Sequence, residues 1–389
     1  MEQVLANELS NHETASLSDL DLKMVRCVPP GGNWKNIDSA IPSKRLEQIR
    51  ERRKGGSRST YYGRLRIDRP AFTISTNFNR PGNGCFIHPT QNRLISLREA
   101  ARIQSFPDSY RFFGSKGSIY KQIGNAVPPL LAYALGKRFR PTTFLDLFCG
   151  AGGLSLGMEM AGHACLVGVD NQKTFLETFS GNRTVGRTLL ADMTNERVLD
   201  EIAAFLPSEG VGLVVGGPPC QGFSEAGNKR RVDDPRNQLY KHYLAALRKF
   251  NPNCFLMEQI PSVRSLAGGE FFLSVLNDFR ELEGYRVAWQ ILRADEFGVP
   301  QVRRRLFIVG VKGEQEFSFP RPLFGPLLNI PITVGEAISD LPPLQPGGGD
   351  PITTRILPTN LSRYQEWAIG RIGFDQLISS FELGQTENK

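Results

Sequence analysis

The chain lacks the features that mark several protein classes. It has no uninterrupted apolar run of membrane-spanning length, and its mean hydropathy of −0.26 excludes a transmembrane helix. Its start, MEQVLANELSNHE, has no basic segment followed by an apolar one, so no signal peptide is expected. The six cysteines, at positions 27, 85, 149, 165, 220 and 254, form no CxxC pair and no regular framework. This argues against a structural zinc and a secreted disulfide scaffold, and points to a reducing, cytoplasmic setting. The four histidines form no ligand cluster with cysteine, so no metal is expected. There is no internal repeat. Hydrophobic residues at 40% and charged residues at 22% exclude a disordered chain, and 389 residues suffice for two or three domain-sized units.

What is present is an uneven distribution of charge. The formal charge is +8, but residues 1–140 hold 23 Lys+Arg and 11 Asp+Glu, while residues 141–389 hold 24 and 28. A basic front joined to a mildly acidic body suggests a polyanion-binding surface, although charge alone leaves a solvated basic face equally open.

The acidic part reads as strands alternating with helices. TFLDLF (143–148) ends in Cys149-Gly150-Ala151-Gly152-Gly153, and a helix follows with apolar residues at 154, 156, 158 and 160. CLVGVD (165–170), VGLVVGG (211–217), NCFLME (253–258), VAWQIL (287–292) and RLFIVGV (305–311) are further strands. Near-continuous apolar strands separated by helices indicate a parallel sheet covered on both faces. The last two strands are joined by residues without helical pattern, which predicts an antiparallel hairpin at the sheet edge. Residues 1–85 are basic and rich in turn formers, and residues 313–350 are rich in Pro and Gly.

Several residues could carry chemistry. The glycine turn after 143–148 offers backbone N–H groups at a helix N-terminus, and Asp170 ends the next strand, 20 residues after Gly150. This pattern suits an adenosine-type cofactor without selecting one, since NAD and FAD sites share it. Strand 211–217 runs into Pro218-Pro219-Cys220-Gln221-Gly222-Phe223-Ser224. The prolines stiffen the strand exit and put Cys220 at the C-terminal edge of the sheet, where a thiolate can reach substrate. A packed, inert thiol is the alternative. The charged stretch GNKRRVDDPRNQLY that follows has the character of a lid. Glu258 closes the next strand as a candidate acid or hydrogen-bond partner. In Gln301-Val302-Arg303-Arg304-Arg305, strand alternation sends Arg303 and Arg305 to one face.

FLDLFCGAGG, GGPPCQGFS, Glu258 and QVRRR together resemble the motifs of the cytosine-C5 DNA methyltransferases, as do REAARIQSFPD (98–108) and QIGNAVPP (122–129). In that family the last two motifs usually come at the C-terminal end. Here they precede the cofactor strand, so the chain looks like a circularly permuted member, the resemblance covering about residues 10–375. The helix begun by Pro128-Pro129 is expected to pack beside the first strand, with GKRFRPT bridging the seam.

The resemblance implies an α/β fold: a Rossmann-like S-adenosylmethionine-dependent methyltransferase sheet, mostly parallel with an antiparallel last strand, plus a small DNA-facing lobe built from both chain ends. The expected divisions are a target-recognition part (1–85), the permuted motifs and a helix on the catalytic body (86–141), the catalytic domain (142–320), and a C-terminal segment completing the lobe (321–389). Arg98, Arg102 and Lys121 would belong to segments returning to the catalytic body.

Phe148, Gly150, Gly152 and Pro219 would shape the S-adenosyl-L-methionine pocket. Asp170 would bind ribose, Asp192 the adenine amino group, and Asn125 with Val127 the methionine end. Cys220 would attack C6 of a cytosine flipped out of the duplex. Glu258 would hold the N3/N4 edge, Arg303 the O2 side, and Arg305 would support the pocket. Gln221, Ser224, Lys229, Arg230 and Arg231 would face DNA from the cysteine loop, and Arg52, Arg53 and Lys54 from the basic stretch 44–66. That stretch also carries Lys44, Arg45, Arg50, Arg58, Arg64 and Arg66, and is read as a phosphate-following segment.

One departure from the family pattern matters. Gln259-Ile260 replaces the usual Asn-Val after the glutamate, in a side chain expected to brace the cysteine loop. The partner implied is duplex DNA, with no membrane and with a cognate restriction endonuclease in a restriction–modification pair, the enzyme acting as a monomer. A tRNA substrate, a weakly active or inactive DNA-binding relative, and a nicotinamide or flavin oxidoreductase are the competing readings. His88, His163 and His242 have no evident partner, and Cys149 reads as space-filling.

Overall fold

The computed structural model describes residues 8–51, 60–195, 197–219, 238–314, 316–325 and 328–383, with side chains through 380. Its contacts divide the chain into two units. The first comprises Met1–Asn125, Gly298–Arg303 and Leu323–Lys389; the second comprises Ala126–Phe297 and Arg304–Pro322.

The six apolar runs of the second unit become strands, and Arg187–Leu190, which was not expected, adds a seventh: β1 (Thr143–Leu147), β2 (Ala164–Asp170), β3 (Arg187–Leu190), β4 (Leu213–Gly216), β5 (Cys254–Gln259), β6 (Tyr285–Arg293) and β7 (Arg304–Lys312). They lie in the order β6-β7-β5-β4-β1-β2-β3. β5, β4, β1, β2 and β3 pair in parallel, and β7 runs antiparallel to both β6 and β5. The sequence therefore predicts the mostly parallel sheet and the β6–β7 hairpin correctly. Strand order reverses direction at β1, which opens a crevice at the C-terminal ends of β1 and β4, where open α/β sheets hold ligands.

Helices α1 (Pro129–Gly136), α2 (Gly153–Met160), α3 (Lys173–Gly181), α4 (Val198–Ala203), α5 (Leu239–Phe250) and α6 (Glu270–Arg280) belong to the same unit. Strand period sets what each face buries. Leu145 and Leu147 of β1, Val167 and Val169 of β2, and Phe255 and Met257 of β5 join one core with Tyr243 and Leu247 of α5 and Val275 and Phe279 of α6. From the opposite face of β1, Asp146 reaches Ser155 of α2. Pro129 stands at the first position of α1, where a missing N–H costs nothing. α1 then crosses α2 at very short range: a Cβ at Gly157 would lie 2.3 Å from the Pro129 carbonyl oxygen. Buried His163 joins the end of α1 to the start of β1, with Nε2 donating to the Gly136 carbonyl at 3.0 Å and Nδ1 accepting from the Thr142 N–H at 3.2 Å.

The first unit is drawn from both ends of the chain. Glu8–Glu13 pairs antiparallel with Gly349–Thr354, and two short parallel pairs join Gly63–Arg64 to Cys85–Ile87 and Ala71–Phe72 to Gln301–Val302. Helix Leu97–Ile103 is buried at every residue, three of them charged. Arg93 makes a two-pronged pair with Glu99, 2.7 Å at each prong. Arg102 does the same with Asp108 and also reaches Asp340, 238 positions along the chain, where Arg355 joins them. Arg98 donates to the carbonyls of Ser10 and Tyr110. Buried ion pairs add little net stability, but removing one partner leaves an unpaired charge, so such a network enforces one arrangement of its segments.

The expected segment 86–141 thus divides at Asn125. Arg98 and Arg102 lie inside the first unit, because their buried partners come from residues 8–13 and 340–355.

Candidate active site

β1 delivers the chain into a turn that only a particular backbone can make. Phe148, Gly150 and Gly152 all have positive φ, at 61°, 55° and 86°. The Gly152 N–H donates to the Cys149 carbonyl at 2.9 Å, and the Gly150 N–H donates to Asp170 Oδ2, also at 2.9 Å. Asp170 Oδ1 accepts from the Gln172 N–H, so this one carboxylate ties the turn to the end of β2. Burial raises the Asp170 pKa, opposed by these backbone hydrogen bonds.

The two glycines differ in surroundings. A Cβ at Gly152 would stand 2.7 Å from Arg183 Nη1 and 2.8 Å from the Phe179 ring, whereas one at Gly150 would meet nothing within 4 Å. The turn is therefore packed from behind and open at Gly150, at the N-terminus of α2. A cradle of this shape, with a carboxylate at its side, fits a nucleoside-bearing cofactor. Asp192 is exposed beyond β3 and accepts from the Thr194 N–H and hydroxyl, which lowers its pKa. Phe148, Gly150, Gly152 and Asp170 are brought together. Val127 and Pro219 lie in the same unit, and Asn125 belongs to the first.

Asp146 was not legible as a site residue. It is fully enclosed behind the turn, accepts from the Ser155 hydroxyl at 2.5 Å, and burial pushes its pKa up to about 7. A lone acid inside an otherwise apolar strand was the available signal.

A second cluster forms where β4 and β5 end. Glu258 Oε1 lies 2.7 Å from Arg305 Nε, with both side chains only slightly exposed. A Cβ at Gly217 would be 3.2 Å from Glu258 Oε2, so glycine lets the carboxylate sit against the chain just before Pro218-Pro219. Burial lowers the Arg305 pKa and the neighbouring carboxylate raises it. Buried Gln259 donates from Nε2 to the Pro218 carbonyl at 2.7 Å. The departure from the family pattern therefore still makes a brace, because the longer amide reaches the proline carbonyl.

Three expectations need correction. Arg303 is not beside Arg305 on a strand face: the ladder breaks between Val302 and Arg304, and alternation holds only along a continuous strand. Arg303 is 0% exposed and donates to the Ile74 and Gly124 carbonyls within the first unit. Arg64 is no phosphate-following residue; it is buried and donates to the carbonyls of Val25, Val28, His88 and Gln91. His88 and His163 both have partners. His88 Nδ1 accepts from the Thr90 and Gln91 N–H groups, and burial lowers its pKa to about 4, leaving a neutral ring 3.6 Å from Glu99. Cys220, Gln221, Ser224, Lys229, Arg230, Arg231, Arg52, Arg53 and Lys54 lie outside the described residues. No helix among the described residues is long and apolar enough to cross a membrane.

A family model described as C-5 cytosine-specific DNA methylase matches residues 5–140 and 142–354. Type II methyltransferase M1.HphI of Haemophilus parahaemolyticus is 36% identical over 207 residues, 53% of this chain and 54% of that protein. Type II methyltransferase M.AquIA of Picosynechococcus sp. is 35% identical over 52% of this chain and 90% of that protein. A crystal structure assigned as an E. coli prophage DNA modification methyltransferase shares 28% identity over 51% of this chain and 55% of that one, at a TM-score of 0.43. M.AquIA apart, the chain spans about half the length of the first curated relatives it matches.

Proposed function

The chain belongs to the C-5 cytosine-specific DNA methylase family, and from that premise we propose that it methylates C5 of a flipped-out cytosine in duplex DNA, as the modification enzyme of a restriction–modification pair. The observation that carries the proposal is the Glu258–Arg305 pair set against Gly217, at the strand exit that leads into Pro218-Pro219-Cys220.

C5 of cytosine is a weak nucleophile. In the proposed reaction the Cys220 thiolate forms a bond to C6, which makes the ring enamine-like, and Glu258 holds the N3/N4 edge and assists protonation at N3. Arg305 keeps the Glu258 carboxylate oriented. After C5 is methylated, its proton is lost, the C6–S bond breaks and aromaticity returns. Flipping is needed because a stacked base hides both faces. S-adenosyl-L-methionine, when bound, supplies the methyl group. Phe148, Gly150 and Gly152 would form its cradle, Asp170 would take the ribose, Asp192 the adenine, Asn125 with Val127 the methionine end, and Pro219 would line the pocket. The Gln259–Pro218 hydrogen bond supports an active enzyme over a binding-only relative.

The motif order is part of the proposal: the chain is read as a permuted member whose seam lies between α1 and β1. The break in the family match at Pro141, the close α1–α2 crossing and the His163 link all support that reading.

Duplex DNA carrying 5-fluorocytosine tests the mechanism, because fluorine at C5 blocks the proton loss. Wild-type protein with S-adenosylmethionine should form a denaturant-stable complex with the duplex and not with tRNA. Cys220→Ser should form none while retaining cofactor binding. Methyl transfer by Cys220→Ser would sink the nucleophile assignment.

A further inference from the structure

Three segments far apart in sequence meet around Ile74 in the first unit. The Ile74 N–H donates to Gln301 Oε1 at 2.8 Å, and the Ile74 carbonyl accepts from Arg303 Nη1 at 3.1 Å. Arg303 Nη2 donates to the Gly124 carbonyl at 3.0 Å. Gln301 Nε2 donates to Gln104 Oε1 at 2.8 Å, and Gln104 Nε2 donates to the Ile123 carbonyl at 2.6 Å. Gln104, Gln301 and Arg303 are all 0% exposed.

Ile123 and Gly124 sit in the last turn of helix Lys116–Asn125. The final carbonyls of a helix lack intrahelical partners, and a cation there is favourable. The residues after Asn125 are Ala126-Val127-Pro128-Pro129, with no glycine to close the helix and with prolines that push Val127 toward extended backbone. The cap comes instead from two side chains distant in sequence, Gln104 on Ile123 and Arg303 on Gly124. Gly124 makes the second possible. A Cβ there would lie 2.5 Å from the Thr76 backbone nitrogen. The helix backbone therefore runs directly against segment 74–76, and one planar guanidinium reaches a carbonyl on each.

We propose that Arg303, ordered by Gln301 and acting alongside Gln104, is a positioning residue for cofactor binding and not a base contact: the clamp fixes the helix end that presents Asn125. This rests on the proposed function, in which Asn125 holds the methionine end of S-adenosylmethionine. Lysine at 303 supplies a point charge but no fork, so it serves one carbonyl and leaves the other unpaired.

Calorimetric titration of the full chain with S-adenosylmethionine, without DNA, tests the clamp. Arg303→Lys is expected to weaken binding roughly 10-fold, about 1.4 kcal/mol, with KM for S-adenosylmethionine rising in step. Its kcat at saturating cofactor and its covalent yield on 5-fluorocytosine DNA should stay within about 3-fold of wild type. Arg305→Lys should show the opposite split, with normal cofactor affinity and lowered kcat. If circular dichroism shows Arg303→Lys unfolded, Gln301→Met carries the same expectation. Normal cofactor affinity with lost trapping in the folded variant would assign Arg303 to the base and overturn the clamp alone. Failure of the wild-type chain to bind S-adenosylmethionine would refute the underlying functional reading.

Discussion

A buried carboxylate behind the cofactor turn shows how much one residue's surroundings decide. Asp146 is enclosed on all sides, and burial lifts its pKa to about 7, above the ordinary value of 3.8. A group raised on folding contributes stability that is fully present below its unfolded pKa and lost as pH rises through the folded one. The wild-type protein should therefore lose stability between about pH 4 and pH 7 on this account. Asp146→Asn, which can still accept from the Ser155 hydroxyl, should not share that loss. Thermal melting from pH 4 to pH 8 should show the variant gaining on wild type as pH rises; parallel curves would remove Asp146 as a titrating group. Its position in TFLDLF was visible in the sequence, but its burial was not, because one strand does not reveal what covers its far face. The same holds for Arg303 and Arg64. Their charges invite contact with base or phosphate, and only their enclosure by backbone carbonyls turns them into internal braces.

Among the elements, helices and strands with a strong apolar period were legible: β1, β2, β4, β5 and the β6–β7 hairpin follow from pattern and length. What was not legible was the interruption at residues 301–305. A run of five residues reads as one strand, yet Gln301–Val302 pairs with Ala71–Phe72, and Arg304 begins a ladder in the other unit. The α1–α2 crossing is a second case: the expectation placed α1 beside the first strand, and nothing in the sequence announced its close contact with α2. Gly157 permits the Pro129 carbonyl to approach where any side chain would collide. Gly157→Val should cost at least ~2 kcal/mol, since neither helix backbone can yield without losing packing. Urea unfolding should show a lower midpoint with an unchanged slope, and an unshifted midpoint would mean the crossing is looser than described.

At the scale of the whole molecule, the charge asymmetry of the sequence separates into two kinds of cation. Arg64, Arg93, Arg98 and Arg102 are buried against internal partners, so none of them is placed to touch a phosphate directly. The cations left to be assigned to DNA are then fewer, and the expectation rests more on Arg52, Arg53 and Lys54. Neutralising all three should lower the slope of log K against log salt by up to ~2.7, because each phosphate contact contributes about 0.9. Binding to duplex DNA from 50 to 200 mM salt measures it, and an unchanged slope would take that segment out of the interface. The first unit also explains how segments from both chain ends stay together. The ladder between residues 8–13 and 349–354 and the shared carboxylates of Asp108 and Asp340 are contacts that no local signal announces.

By itself the sequence determined six of the seven strands of the sheet, the glycine turn, the placing of Glu258 at a strand end and the motif order, because each depends on residue type and spacing over a few turns of chain. Only the tertiary structure decided which arginine meets Glu258, which is walled in beside Gly124, and which histidines are internal links. Those outcomes depend on desolvation and on partners tens to hundreds of residues away. A charge keeps its chemistry in either setting, but burial and its nearest carbonyl or carboxylate decide whether it faces a ligand or holds the fold.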